Sequence, residues 1–368
     1  MTFEQGAPAP SGQPQSASPQ GGYIPPEALA YAPAYPVMVV PPPVEDPTPF
    51  HRLFRTVPKY RWWRPLVAIA ILIAFFLVTQ VIVGVVWTIG LIVSGHGLDA
   101  FASVTEATAQ LTDMSNPLNV VLLFGSIAIL LPLVPLAMLC AGLRPVGLRH
   151  SIAFRLRWRW MLWCAIPSLV ITLISTGLSF LPLLWGETLE PVAVDMGHFA
   201  LLAVLIVLLV PLQSAAEEYV FRGFIMQALG AWVRNPWFGI VISTVVFTVG
   251  HSQYELWGLL SVGVMGLGFA VVVWRTGGLE AGIAFHVVNN VIAVLLLSSG
   301  VLGTSSMGSE GSTWVTPLVQ AVFTGGFVLW IEFGARRRGI ARTRPLPPAP
   351  VYTPQPTQFA QPPSTPAS

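Results

Sequence analysis

The sequence predicts an all-α integral membrane protein of about eight transmembrane helices. Three observations carry that reading. The 368 residues are 54% apolar and only 9% charged, against about 25% charged in a soluble domain. Mean hydropathy is +0.70. The apolar runs are about 20 residues long, the length of a helical span, rather than the alternating ten-residue segments of a membrane barrel.

Residues 1–58 are rich in Pro, Gly, Ser and Gln. They bury too little apolar surface to fold and read as a disordered, Pro-rich N-terminal tail. Pro41-Pro42-Pro43 favours polyproline II locally. No apolar h-region of a cleavable signal peptide is visible in this stretch. Spans are expected over 65–94, 117–142, 160–184, 198–229, 236–252, 256–274, 278–299 and 314–335. This divides the chain into N-terminal transmembrane helices over 59–196, a core of spans over 197–300, a last helix within 301–335, and a basic, Pro-rich tail over 336–368.

The net charge is only +2, but its distribution is uneven. Almost every basic residue is an arginine, Lys59 being the one lysine. They cluster at Arg52 to Arg64, at Arg144 to Arg159, at the loop residues Arg234 and Arg275, and at Arg336 to Arg344. With eight spans, all of these fall on one side, which the positive-inside rule makes cytoplasmic. Asp99, Glu106, Asp113, Glu187, Glu190, Asp195 and Glu310 fall on the other side. The expected location is the cell membrane, multi-pass, with both termini cytoplasmic. The Arg155-Leu156-Arg157-Trp158-Arg159-Trp160 string reads as an interfacial anchor, not a nucleic-acid patch. The expected partners are therefore the bilayer and a protein or peptide, with no nucleic acid. Cys140 and Cys164 lie in or beside apolar spans and read as small buried hydrophobes, not a disulfide framework.

Polar groups at membrane depth point to function, because each ionised group there costs a few kcal/mol. Glu217, Glu218 and Arg222 follow a run from Phe199 to Leu212 that holds no charge. Glu218 and Arg222 are i,i+4 neighbours and can pair along one helix face. Glu217 is rotated from Glu218 by about 100° and is left free to face a cavity. His251 follows Phe247 at the same helical spacing, and Asn290 follows His286 likewise, with Asn289 beside it. Glu255 and Glu280 sit near span ends and read as interfacial. A Glu, two His and an Asn from three helices form a hydrolytic set. Glu217 and one of the histidines, His251 or His286, would activate water, and the other histidine and Asn290 would hydrogen-bond an oxyanion. Glu217, His251 and His286 would equally ligate zinc. The four are expected around one cavity open to the cytoplasm. His251 strains this picture: along a straight helix it lies about 25 Å beyond the Arg234 loop, near the outer face.

These residues resemble the three signature motifs of the CAAX protease and bacteriocin-processing family (CPBP, or Abi), intramembrane endopeptidases related to the eukaryotic CAAX prenyl endopeptidase. The motifs stand here as Glu217-Glu218-x-x-Phe221-Arg222-Gly223, Phe247-x-x-x-His251 and His286-x-x-x-Asn290. The resemblance covers about residues 197–300. It implies that Glu217 activates water with His251 as partner, that His286 and Asn290 stabilise the oxyanion, and that Glu218 and Arg222 support them; Phe247, beside His251, reads as packing that shapes the site. The family is described both as metal-dependent and as glutamic. No His-Glu-x-x-His helix occurs here, so the expectation is no obligatory metal, with zinc the alternative.

The expected activity is cleavage of membrane-associated or lipidated proteins or peptides. The alternative is a non-catalytic bacteriocin-immunity or scaffold protein on the same fold. A proton channel or transporter is a further rival, since buried Glu and His also build relays. Abundant Ala, Arg and Pro with a single Lys point to a high-GC bacterium, which argues against farnesylated substrates.

Overall fold

The computed structural model describes residues 47–93, 111–181, 184, 191, 193–304, 307 and 312–344. The expected tails over 1–46 and 345–368, and Asp99, Glu106, Glu187, Glu190 and Glu310, lie outside them. The described chain is an all-α integral membrane protein.

The first span is α1 (Arg64–Val93), whose Leu77, Val81 and Val85 are exposed, as suits a helix facing lipid. The second is broken into α2 (Pro117–Ala128) and α3 (Leu130–Cys140). Pro132 accounts for the break, because its ring clashes with the carbonyl four residues back, that of Ala128. Asn116 starts α2 by accepting the Leu118 N–H at 2.9 Å, with Pro117 in the first turn. α4 (Trp158–Ser179) is the third span. The fourth is α5 (Met196–Val220), which runs through a five-residue π turn, Phe221–Ile225, into α6 (Met226–Trp232). α7 (Pro236–Val249) and α8 (Leu256–Thr276) form a hairpin, and Gly277 ends α8 in the left-handed region at φ 69°. α9 (Glu280–Ser298) and α10 (Val315–Arg337) complete the bundle.

Seven of the eight expected spans are long and apolar enough to cross a membrane. The fifth is shorter than expected: α7 has 14 residues. It rises about 21 Å, against about 30 Å of hydrocarbon. α9 packs on α4 and α5, α8 packs on α7 and α10, and α2 packs on α5.

The two ends of the bundle differ. At one end the arginine-rich segments meet. Leu279 N–H donates to His150 O at 3.0 Å and Ile152 N–H to Gly277 O at 2.9 Å. Arg157 holds Glu280 at 2.7 Å, and Arg275 and Arg342 converge on Glu332. Glu280 is therefore fully buried in an ion pair rather than interfacial. At the other end His198 Nε2 meets Ser115 O at 2.7 Å, and Met307 N–H donates to Thr112 O at 3.0 Å.

Three further expectations need correction. The N-terminal tail does not extend to residue 58. Phe50, Leu53 and Phe54 form a buried 3-10 turn (Phe50–Thr56) against α6, Phe54 lying 5.7 Å from the Phe224 ring. The short strands β1 (Thr48–Pro49) and β2 (Thr343–Arg344) pair antiparallel, so the C-terminal tail also begins later than residue 336. Phe50, Leu53, Phe54 and Val57 join the buried core in a stretch that composition marked as polar. Cys164 is buried as expected, but Cys140 is exposed.

Candidate active site

Asp195 opens α5 by accepting the His198 N–H at 2.8 Å. Leu202, Ile206 and Val210 then recur every four residues and bury one face. That stripe continues into Gln213 and Glu217, so the core-facing side of an apolar helix delivers the carboxylates inward. The π turn that follows holds Arg222 in a bulge of the kind found at functional sites.

Glu218 and Arg222 pair as the spacing requires. Arg222 Nη1 donates to Glu218 Oε1 at 2.8 Å, and both side chains are fully buried. The other guanidinium nitrogen, Nη2, donates to Gly266 O at 2.6 Å. The guanidinium also lies 4.5 Å from the Phe247 ring and 5.4 Å from the Phe269 ring, two cation–π faces. Phe247 is thus a platform for the arginine, 5.9 Å from the His286 ring and 4.5 Å from the His251 ring.

His286 stands between the two glutamates. Its Nδ1 lies 3.0 Å from Glu218 Oε1 and its Nε2 lies 3.4 Å from Glu217 Oε2. Glu218, offset by Arg222, is an acceptor, so Nδ1 carries the donated hydrogen and Nε2 is the nitrogen presented to Glu217. Phe269 stacks on the ring at 4.9 Å and fixes its plane. The histidine in contact with Glu217 is therefore His286, not the expected His251.

His251 follows α7 in the turn 250–254. Its Nδ1 donates to Phe247 O at 2.8 Å, which leaves Nε2 with its lone pair free to accept. The shortness of α7 resolves the strain over its depth. The helix stops at Val249, and the turn brings His251 to the same cavity as Glu217. Asn290 lies on that cavity too, and its Oδ1 accepts from Asn289 Nδ2 at 3.2 Å. The Asn290 amide N–H2 is left to donate.

Glu217, His251, His286 and Asn290 thus line one cavity of about 630 Å³. Glu218, Arg222 and Phe247 lie behind it. Gln213 and Tyr254 are among the lining residues that the sequence did not single out. Gln213 sits one turn before Glu217, and its signal was a polar side chain ending a long apolar run. Tyr254, 6.3 Å from the His251 ring, carried no local signal.

Among the described residues no group of three or more His, Cys, Asp and Glu is arranged to hold a metal ion. His286 and His251 are each held through Nδ1, by Glu218 and by Phe247 O.

A loop braces the site from the arginine-rich end. Tyr219, next to Glu218, meets His150 Nδ1 through its hydroxyl at 2.5 Å. Burial, then the neighbouring Arg149, hold His150 down to a pKa of about 4. Gln227 Nε2 donates to Leu148 O at 2.9 Å, tying the same loop to α6.

Residues 197–292 match the family described as type II CAAX prenyl endopeptidase, Rce1-like. The uncharacterized protein YyaK of Bacillus subtilis (strain 168) is 29% identical over 153 residues, covering 37% of this chain and 50% of YyaK. The chain thus spans about half the length of the curated relative it matches. No solved structure matches it.

Proposed function

We propose that this chain, a member of the CAAX endopeptidase family through its Rce1-like core over residues 197–292, is an intramembrane endopeptidase driven by Glu217. One observation carries the reading. A buried carboxylate with no cationic side chain of its own faces a cavity that also presents a free imidazole lone pair and a free amide donor.

Water enters the cavity between Glu217 and His251. Glu217 takes a proton from it, and His251 Nε2 accepts its other hydrogen in a hydrogen bond. The oxygen attacks the scissile carbonyl carbon, and the carbonyl π electrons move onto oxygen. The Asn290 amide donates a hydrogen bond to that oxyanion, and His286 Nε2 accepts one from the carboxyl that Glu217 has become. As it collapses, the C–N bond breaks and Glu217 returns its proton to the leaving amine. Arg222 keeps Glu218 as an acceptor, and Glu218 keeps the His286 ring turned toward Glu217. Substrates are membrane-associated or lipidated polypeptides, and the arginine-rich end faces the cytoplasm of a plasma-membrane protein.

The test compares membrane peptides from cells carrying active and Glu217→Gln protein, by mass spectrometry. Uncleaved substrates accumulate in the variant. An unchanged peptide population with a normally folded variant supports a scaffold instead. Charge movement across liposomes that depends on Glu217 supports a proton relay.

A further inference from the structure

The cavity does not lead toward the arginines. Its floor is at their end. His286 is six residues from Glu280, about 9 Å into α9, and Asn290 is about 15 Å in. From there the lining climbs α9 through Ala293 and Val294, and climbs α8 through Met265 and Ser261 toward its start at Leu256. It reaches Thr316 and Gln320 in the first turns of α10, then Ser312, Met307 and Thr112. Met307 and Thr112 are hydrogen-bonded to each other at the far end of the bundle.

The opposite end is closed. Among the described residues, none from the arginine-rich loops lines the cavity. Below Glu217 lie the fully buried Arg222, Phe247 and Phe269, and then Tyr219 latched to His150. Gly282 and Gly223 seal the same end by close approach: a Cβ on the first would sit 2.8 Å from Glu218 Oε2, and on the second 2.9 Å from Arg149 O. The opening toward the cytoplasm expected from the order of the spans is therefore not found. The reason is that motif position along each helix gives the depth of a side chain, not the side from which it is reached.

All the lysine and arginine of the chain except Arg222 lies at the closed end or in the tails attached to it. Seventeen positive charges on one side fix the orientation strongly. We propose that the cavity is entered from the non-cytoplasmic side, so that its substrates are polypeptide segments presented at the outer face of the membrane or within its outer leaflet. The substrate class rests on the endopeptidase reading; the side of entry rests on the lining and the charge distribution alone.

Single cysteines test the side without requiring turnover. Ser312→Cys and Thr316→Cys mark the mouth, and Arg155→Cys marks the arginine-rich end, each in a Cys140→Ser, Cys164→Ser background. Intact cells are treated with a membrane-impermeant maleimide. Labelling of the two mouth positions in intact cells, with Arg155→Cys reacting only after permeabilisation, is the expected result. Mouth positions that react only after permeabilisation overturn the proposal. So does labelling of all three from one side. The substrate class is tested separately by adding Glu217→Gln and comparing peptides in the medium and in the cytoplasm. Products lost from the medium of the variant support it. If the mouth labels from outside and the missing products are all cytoplasmic, the substrate class is overturned while the endopeptidase reading stands. If no product changes anywhere, the endopeptidase reading fails while the side of entry stands.

Discussion

Gly282 lies flat against Glu218. A Cβ built on Gly282 would be 2.8 Å from Glu218 Oε2, an oxygen that is buried and accepts no hydrogen bond. The first turn of α9 therefore sets the position of the carboxylate that orients His286, which stands one turn further along the same helix. Gly282→Ala forces that carboxylate to move. Overpacking of this kind costs about 1–3 kcal/mol. Turnover of a reporter peptide should fall at least about tenfold, as a misplaced catalytic group does, while Ala281→Gly nearby leaves the geometry of Glu218 unchanged. Equal activity of Gly282→Ala and wild type would contradict the positioning role.

Glu217 and Glu218 differ in what their loss does. Glu218→Gln strands the fully buried Arg222, and breaking such a pair costs about 3–5 kcal/mol. Glu217→Gln strands no cation. Thermal unfolding in detergent should show a large loss for the first and a small one for the second, and activity should vanish in both. A Glu217→Gln protein as unstable as Glu218→Gln would mean that both carboxylates are structural.

Asn290→Ala should lower kcat by about 10²–10³, the range for an oxyanion donor, with little change in KM or in melting temperature. Asn289→Ala removes the neighbour that holds Asn290 Oδ1, so it should have a smaller effect in the same direction. The ratio of the two kcat values decides which amide faces the reaction.

Acid should loosen the brace at the arginine-rich end. The folded-state pKa of His150 is about 4, lowered from 6.5 by burial and Arg149. Between those values the unfolded chain binds the proton and the folded chain does not. Stability from this residue is therefore full above about pH 6.5 and is lost as pH falls toward 4. Melting temperature measured from pH 7 to pH 5 should fall more steeply for wild type than for His150→Gln. Parallel slopes would show that another group governs the acid response.

Much of this was legible in the sequence because lipid makes polar residues conspicuous. Glu217, Glu218, Arg222, His251, His286 and Asn290 stand out against apolar runs, and i,i+4 spacing correctly paired Glu218 with Arg222. The Glu217–His286 contact was not legible, because it joins α5 to α9 across a helix interface whose rotation depends on packing. The π turn at Phe221–Ile225 has no periodic signature. Glu280 looked interfacial because it ends a span, and only the folded loop brings Arg157 to it. The end of α7 was overrun by three residues because Gly250, His251 and Ser252 do not interrupt helical spacing as a proline does.

That short helix has a consequence for the lipid around it. Where the bilayer meets α7, the protein offers about 9 Å less apolar wall than the acyl chains span. The leaflet on that flank must thin, or water must descend to the turn at 250–254, at a cost of fractions of a kcal/mol per Å. Either response brings the wet boundary down toward His251. Hydrolysis of the kind proposed needs both a water molecule and hydration of the ends it creates, and a local dimple in the membrane supplies both.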